Sequence, residues 1–326
     1  MGLDSVITVS VNRKVEPIRN VLSLFDGISC GQLALQRAKV PYEKYYASEI
    51  ETASIKVTQE NFPKTIQLGD VTKITDFPEV DLLIAGSPCQ GFSKSGSKLN
   101  FDDPRSVLFF QFLRVLELTQ PKYFLLENVV MDRWATNVIS YFLRTNPYEL
   151  NSSLVSAQNR PRYYWTNLPR PSITEKGLFL KDIAEPSSKN LLLDSSLDFI
   201  SCPPSNTDTG LVFVGGFKTR NQTMWIENGK LLSRNFRQGY RVYSSEGKSS
   251  TLTASGGGLG GCSGLYHFGD AIRPLSRLEC ERLQTVPDNY TDCVSDTQAK
   301  KALGNGFTVD MVASIFGGLI QGQKSV

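Results

Sequence analysis

Cys89 follows Pro88 where an apolar run, Val80 to Ala85, gives way to Gly86 and Ser87, and it enters a loop carrying Gly91, Ser93, Ser95, Gly96 and Ser97. A thiolate is a strong nucleophile, and a cysteine fixed by proline beside a flexible polar loop is placed for attack rather than for packing. The bland alternative is a small buried hydrophobe, a use to which free cysteine is often put. Glu127 is its natural partner. Phe124-Leu125-Leu126 before it and Val129-Val130 after it predict a partly buried carboxyl whose protonated form is favoured, against the alternative of a solvated carboxylate that merely ends a strand.

A second group of residues suits a nucleoside. The turn from Phe25 to Gly31 can bring backbone amides against a ligand with a helix N-terminus behind it, although many such turns only connect elements and the Gly-x-Gly-x-x-Gly spacing is absent. Glu49 can accept hydrogen bonds from two ribose hydroxyls, and Asp70 can accept one from an adenine amine. Together they predict a cofactor that carries a nucleoside.

The elements that must position these residues read as alternating strands and helices, which predicts a parallel sheet covered on both faces. Val21–Phe25, Tyr45–Glu49, Thr65–Leu68, Val80–Ala85 and Tyr123–Leu126 are the predicted strands, and Gln32 to Lys39 the first helix. Each strand is followed by a polar or reactive residue at the carboxyl edge, where open α/β sheets bind ligands. The alternation fails between about Pro169 and Ile272, where Ser187–Lys189 and Cys202–Gly210 are rich in turn formers, and this predicts an inserted second domain. Helices resume at Pro274–Leu283 and Thr308–Ile320. No internal repeat is visible.

The 326 residues predict one main domain with a smaller insertion. No apolar run approaches the roughly 20 residues of a membrane helix, so no membrane partner is expected. Met1-Gly2-Leu3-Asp4-Ser5 lacks the pattern of a secretory signal, which predicts an intracellular protein. Six cysteines without Cys-x-x-Cys spacing and a single histidine, His267, argue against a zinc site or a disulfide framework, so no metal is expected. The net charge of +3 discriminates little, but Leu211 to Phe268 holds seven basic residues (Lys218, Arg220, Lys230, Arg234, Arg237, Arg241, Lys248) against Glu227 and Glu246, a balance of 7 − 2 = +5. That is a candidate phosphate-facing surface.

At this point the chain resembles the DNA cytosine-5 methyltransferases, with the motifs in order from Phe25 to about Phe316. Phe25-Asp26-Gly27 resembles the cofactor turn, Ser87-Pro88-Cys89-Gln90-Gly91-Phe92-Ser93 the nucleophile loop, and Glu127-Asn128-Val129 the Glu-Asn-Val motif. Gln158-Asn159-Arg160-Pro161-Arg162 is similar to the Gln-x-Arg-x-Arg strand, Arg273-Pro274-Leu275-Ser276 with Glu279 to the helix after the recognition domain, and Gly304-Asn305-Gly306-Phe307 to the closing motif. Gly306-Phe307 stands where members often carry a smaller pair. The long turn and Tyr163–Leu168 are similar to the vertebrate de novo enzymes, while Gln90 after the cysteine is nearer the bacterial and phage type.

The resemblance implies a Rossmann-like S-adenosylmethionine-dependent domain (1–169 and 273–326) with a target-recognition domain (170–272) inserted. It implies that Cys89 attacks C6 of a cytosine flipped from double-stranded DNA, Glu127 donates to N3, and Arg160 and Arg162 complete the catalytic set, with Arg162 on the base's carbonyl oxygen. Phe25, Asp26, Gly27, Ile28, Glu49, Asp70, Val71 and Asn305 would hold the cofactor. Gln90, Ser93, Arg105, Gln238, Arg241 and Thr251 would meet DNA, Arg241 being a candidate for guanine and Gln238 for the space left by the base. A monomer in the cytoplasm of a bacterial or phage-infected cell is implied, within a restriction-modification system or as a phage orphan. Two rivals carry different expectations: a tRNA cytosine methyltransferase would have a shorter recognition segment, and a non-catalytic DNA-binding paralogue would lack members of the catalytic set.

Overall fold

The computed structural model describes residues 17–86, 106–185, 198–218, 231–269 and 271–321. Cys89, Gln90, Ser93 and Arg105 lie outside the described residues, as do Arg220 and Lys230 of the basic segment.

Among the described residues, seven strands form the first sheet: β1 (Asn20–Leu24), β2 (Lys44–Ser48), β3 (Ile66–Gln67), β4 (Leu82–Gly86), β5 (Tyr123–Val129), β6 (Tyr148–Asn151) and β7 (Pro161–Thr166). Their order is β3-β2-β1-β4-β5-β7-β6, and β7 alone runs antiparallel to both of its neighbours. The apolar runs alternate between two cores. Val21, Leu82, Ile84 and Leu125 face one cluster, while Leu22, Leu24, Leu83, Ala85 and Leu126 face the other. A strand buried on both faces must be apolar at every position, which is why these strands read as continuous runs. Each of these fully buried aliphatic side chains contributes roughly 1.5–3 kcal/mol.

On the first face lie α1 (Cys30–Arg37) and the helices after the insertion: α5 (Arg277–Leu283), α6 (Asp296–Asn305), α7 (Val309–Phe316) and α8 (Gly318–Gln321). The other face is covered by α3 (Ser106–Thr119) and α4 (Arg133–Leu143), through Phe109, Phe112 and Ile139. Helix α2 (Thr52–Asn61) follows β2. Local chemistry sets several starts: Asp132 accepts from the Ala135 N–H at 2.9 Å, and Ser276 and Glu279 exchange bonds in a capping box at the head of α5.

A second sheet, of order β12-β11-β10-β9-β8, is built from β8 (Phe199–Asn206), β9 (Val212–Phe217), β10 (Arg241–Ser244), β11 (Leu265–Phe268) and β12 (Ala271–Pro274). Its small cores centre on Phe213 with Phe236, and on Phe217 with Val242 and Leu265.

Several expectations are corrected. Glu127 lies inside β5 rather than after it, because Asn128 and Val129 still pair with Tyr163 and Arg162. The Gln-x-Arg-x-Arg segment enters its strand only at Pro161, and α5 starts at Arg277 since Pro274 ends β12. Helix α1 begins at Cys30, two residues early. The helix expected over Thr308–Ile320 is two, separated at Gly317. Asp296–Ile320 is long and apolar enough to cross a membrane by length and composition, but α6, α7 and α8 divide it and most of it is buried in the core. Lys248 is no part of a phosphate-facing surface: it is buried, and its ammonium donates to the carbonyls of Ser153 and Ser156.

Candidate active site

The strand order reverses between β1 and β4, and a cavity of about 380 Å³ opens at the carboxyl ends of the strands there. Phe25 follows β1, Glu49 follows β2, and Gly86 ends β4 opposite Glu127 in β5. Parallel register therefore delivers four chain segments that are far apart in sequence to one edge.

The turn after β1 is tightly coiled. Phe25, Gly27 and Ser29 have φ of +55°, +60° and +60°, the left-handed region that costs a non-glycine residue roughly 1–2 kcal/mol. Side chains hold it there. Glu49 Oε2 accepts from the Gly27 N–H at 2.7 Å, and Oε1 accepts from the N–H groups of Ile50 and Glu51. Beneath the turn, Asp26 accepts from Ser29 Oγ at 2.7 Å and from the Tyr45 hydroxyl at 2.8 Å. Burial pushes the Asp26 pKa up to about 6, while the hydrogen bonds of Ser23, Ser29 and Tyr45 pull the other way. Ile28 is fully buried. Asp70 Oδ1 accepts from both the N–H and the hydroxyl of Thr72, which lowers the carboxyl's pKa and caps the turn that begins at Val71. Asn305, at the end of α6, closes the opposite side of the cavity.

At the far end stand Glu127 and Arg162. Glu127 pairs directly with Tyr164, and Arg162 lies two residues along β7 from that partner, so both side chains leave the same face. Arg162 Nε is 3.1 Å from Glu127 Oε1, with both side chains about 10% exposed. The pair is desolvated but open to the cavity.

Arg160 also lines the cavity, yet its guanidinium is committed to the backbone: Nη1 donates to Leu252 O at 2.9 Å, and Nη2 to Gly304 O and Gly306 O, both at 3.0 Å. Its Nε has no partner among the described residues. Burial, and then the like charge of Arg162, pull its pKa down to about 9, so it remains charged at neutral pH.

Among the described cysteines, burial pushes Cys30 and Cys280 up to about 12 and raises Cys202 and Cys293 as well. None of these four supplies a thiolate near neutral pH.

In the second sheet Arg237 and Gln238 are exposed, and Gln238 opens the turn that leads into β10. Arg241 is half-buried, its Nε donating to Phe236 O at 3.0 Å. The Gly260 N–H donates to Gly239 O at 2.8 Å, so the two glycine-bearing loops of this segment meet. Thr251 gives its hydroxyl to Asn159 O at 2.7 Å.

Sequence reasoning missed Ile50, a 69% exposed aliphatic residue that lines the cavity, and gave Phe307, named only within the closing motif, no role, although its ring comes against Gly86 in the cavity lining. An apolar residue directly after the acid that ends β2 was the available signal for Ile50. Asn128 was quoted only within its motif; it is buried, lines the cavity, and has an amide nitrogen without a partner among the described residues.

Residues 19–321 match the family model described as C-5 cytosine-specific DNA methylase. The chain is 33% identical to the orphan methyltransferase M.Rho11sI of Bacillus phage rho11s over 310 residues, covering 77% of this chain and 61% of that protein's length. It is 32% identical to the type II methyltransferase M1.ScrFI of Lactococcus lactis subsp. cremoris over 329 residues, covering 93% and 78%. The crystal structure of S. pombe Dnmt2 methyltransferase superposes with a TM-score of 0.68 at 18% identity, covering 94% of this chain and 99% of that one, a likeness of fold.

Proposed function

The chain belongs to the C-5 cytosine-specific DNA methylase family and has DNA cytosine-5 methyltransferase activity; we propose that the cavity between Phe25 and Phe307 is its reaction site and Cys89 its nucleophile. One observation carries this reading: the Glu127–Arg162 pair opens into the same cavity as the Glu49 and Asp70 carboxylates, so a base and a nucleoside cofactor can meet there.

The residues fit S-adenosylmethionine, the family's methyl donor. Glu49 and Asp70 offer acceptors for ribose hydroxyls and an adenine amine, Ile50 and Phe25 offer apolar surface, and Asp26, Gly27, Ile28 and Val71 shape the turns beneath. Asn305 closes the pocket. When bound, S-adenosylmethionine supplies the electrophilic methyl group that C5 of cytosine takes.

The chain's own residues do the rest. Cys89 thiolate attacks C6 and forms an S–C6 bond; the electron pair of the C5–C6 double bond moves into the ring, and Glu127 donates a proton at N3 to hold it. Arg162 orients the Glu127 carboxyl and donates to the base's carbonyl oxygen. After C5 is methylated its proton leaves to a base, the returning pair expels Cys89 as thiolate, and N3 gives its proton back to Glu127. Arg160 contributes by position rather than by touching the base. Neither C5 nor C6 is accessible inside a duplex, so the cytosine must be flipped out at a cost of a few kcal/mol.

Double-stranded DNA is the partner, met by a recognition domain over 170–272 through Gln238, Arg241 and Thr251, and by Gln90, Ser93 and Arg105 around the nucleophile. The proposed setting is the cytoplasm of a bacterial or phage-infected cell, a reading supported by its bacterial and phage relatives, and the proposed working form is a monomer. Incubation with tritiated cofactor, unmethylated duplex DNA and bulk tRNA tests the substrate. Label is expected in DNA, lost in Cys89→Ser; label in tRNA alone would overturn the reading.

A further inference from the structure

Leu252, on the approach to the loop Thr253–Gly258, has both backbone groups taken by side chains from beside the first sheet. Its N–H donates to Gln158 Oε1 at 2.9 Å, and its carbonyl accepts from Arg160 Nη1 at 2.9 Å. Gln158 Nε2 donates to Gln284 Oε1 at 3.3 Å, Gln284 Nε2 donates to Gly306 O at 3.0 Å, and that same carbonyl accepts from Arg160 Nη2 at 3.0 Å. The five bonds close on themselves: Leu252, Gln158, Gln284, Gly306, Arg160 and back to Leu252. Gln158, Arg160 and Gln284 are buried.

Two surfaces of different use hang from this ring. Asn305 sits between Gly304 and Gly306 and lines the cofactor cavity. Leu252 leads into the segment whose loop meets Gly239. The two are also in backbone contact: a Cβ on Gly304 would run into the Thr253 carbonyl group. A buried, almost fully paired network has few alternative arrangements, so ordering one side orders the other.

We propose that Gln158 and Gln284 are positioning residues which couple the two binding events, the ring transmitting cofactor occupancy at Asn305 to the DNA-facing segment after Leu252. This rests on the reading of the cavity and of the second sheet given above. Coupling of this kind is reciprocal, so it is measurable from either ligand.

The test is the dissociation constant of S-adenosylhomocysteine by titration calorimetry, with and without saturating sheared chromosomal DNA lacking cytosine methylation. In the wild type DNA should tighten binding about tenfold, within the usual range of coupling. Gln284→Met, similar in volume but without the donor, should bind S-adenosylhomocysteine alone within about threefold of wild type while the DNA effect falls below about twofold. Gln158→Met removes the shared Gln158–Gln284 bond and the bond from the Leu252 N–H, and serves if Gln284→Met does not fold. Thr308→Val removes a bond to Gln284 that lies outside the ring, at 2.8 Å, and should keep the tenfold effect. A wild-type ratio of one, an unchanged ratio in both Gln variants, or an equal loss in Thr308→Val would each overturn the coupling. Absence of any DNA binding by the wild type would instead overturn the function on which it rests.

Discussion

Arg162 and Glu127 sit on neighbouring antiparallel strands, and their 3.1 Å contact makes one unit of what the chain separates by 34 intervening residues. The guanidinium fixes where the carboxyl points before any base arrives. Preorganisation of this sort is what a proton donor needs.

Glu127→Gln keeps size and a polar head but cannot donate an acidic proton. Methyl transfer to duplex DNA should fall by about 10²–10⁴-fold, the usual contribution of general acid catalysis, with the melting temperature little changed. Initial rates of tritium incorporation check this, and a rate within threefold of wild type would remove Glu127 from the mechanism.

Asp26 makes stability depend on pH. Its carboxyl moves from an ordinary 3.8 to about 6 because it is buried, so the folded protein holds that proton more tightly than the unfolded chain does. The corresponding stability is present below pH 4 and is lost as pH rises to about 6, amounting to about 3 kcal/mol for a shift of this size. Asp26→Asn does not titrate. The wild-type minus variant unfolding free energy, from urea titrations at pH 4.5, 6.0 and 7.5, should decline and then level off; a flat difference would contradict the assignment.

Arg273, next to last in β12, makes two bonds of 2.7 and 2.8 Å to Glu279 in the first turn of α5, while its guanidinium lies 3.8 Å above the Phe268 ring. Burial alone would raise the Glu279 pKa, but Arg273 and the N–H groups of Glu185 and Ser276 outweigh it and hold the carboxyl low. Arg273→Met strands a buried charge and should cost about 3–5 kcal/mol. Adding Glu279→Gln should recover part of that loss. Melting curves of the single and double variants read both.

Arg241 is held at Nε by the Phe236 carbonyl, which stiffens an arm at the start of β10. If it reads a guanine, Arg241→Ala should lose about 1–3 kcal/mol of discrimination at one base pair. Sequencing the methylation pattern in cells that express the variant would show relaxation at one position; uniform loss at every site would make Arg241 a phosphate contact.

Much of the first sheet was legible because strands covered on both faces have to be apolar throughout: β1, β2 and β4 start and stop within two residues of their apolar runs, and β5 starts with its run but continues past it to Val129. Glu127 was legible as a partner but misplaced at the strand end, because the pairing of Asn128 and Val129 with β7 is a long-range fact. Lys248 shows the converse error: counting charges cannot reveal that an ammonium is folded inward onto two carbonyls. The ring through Gln158 and Gln284 was invisible for the same reason, since its amides are 126 positions apart and neither residue type announces burial. Left-handed Phe25 and Ser29 had no sequence signal either, as the turn demands them for reasons that lie in Glu49 and Asp26.

Ser249 and Gln158 form a parallel bridge, Asn159 receives the Thr251 hydroxyl, and Thr253 rests on Gly304. The segment proposed for DNA recognition is thus sewn into its host well inside its expected borders. Exchange of specificity between relatives would therefore not respect the ends of the insertion: a transplanted cassette that stops short of residues 249–254 keeps the host's seam, whereas one that includes them must bring its own counterparts of Gln158, Gln284 and Gly304.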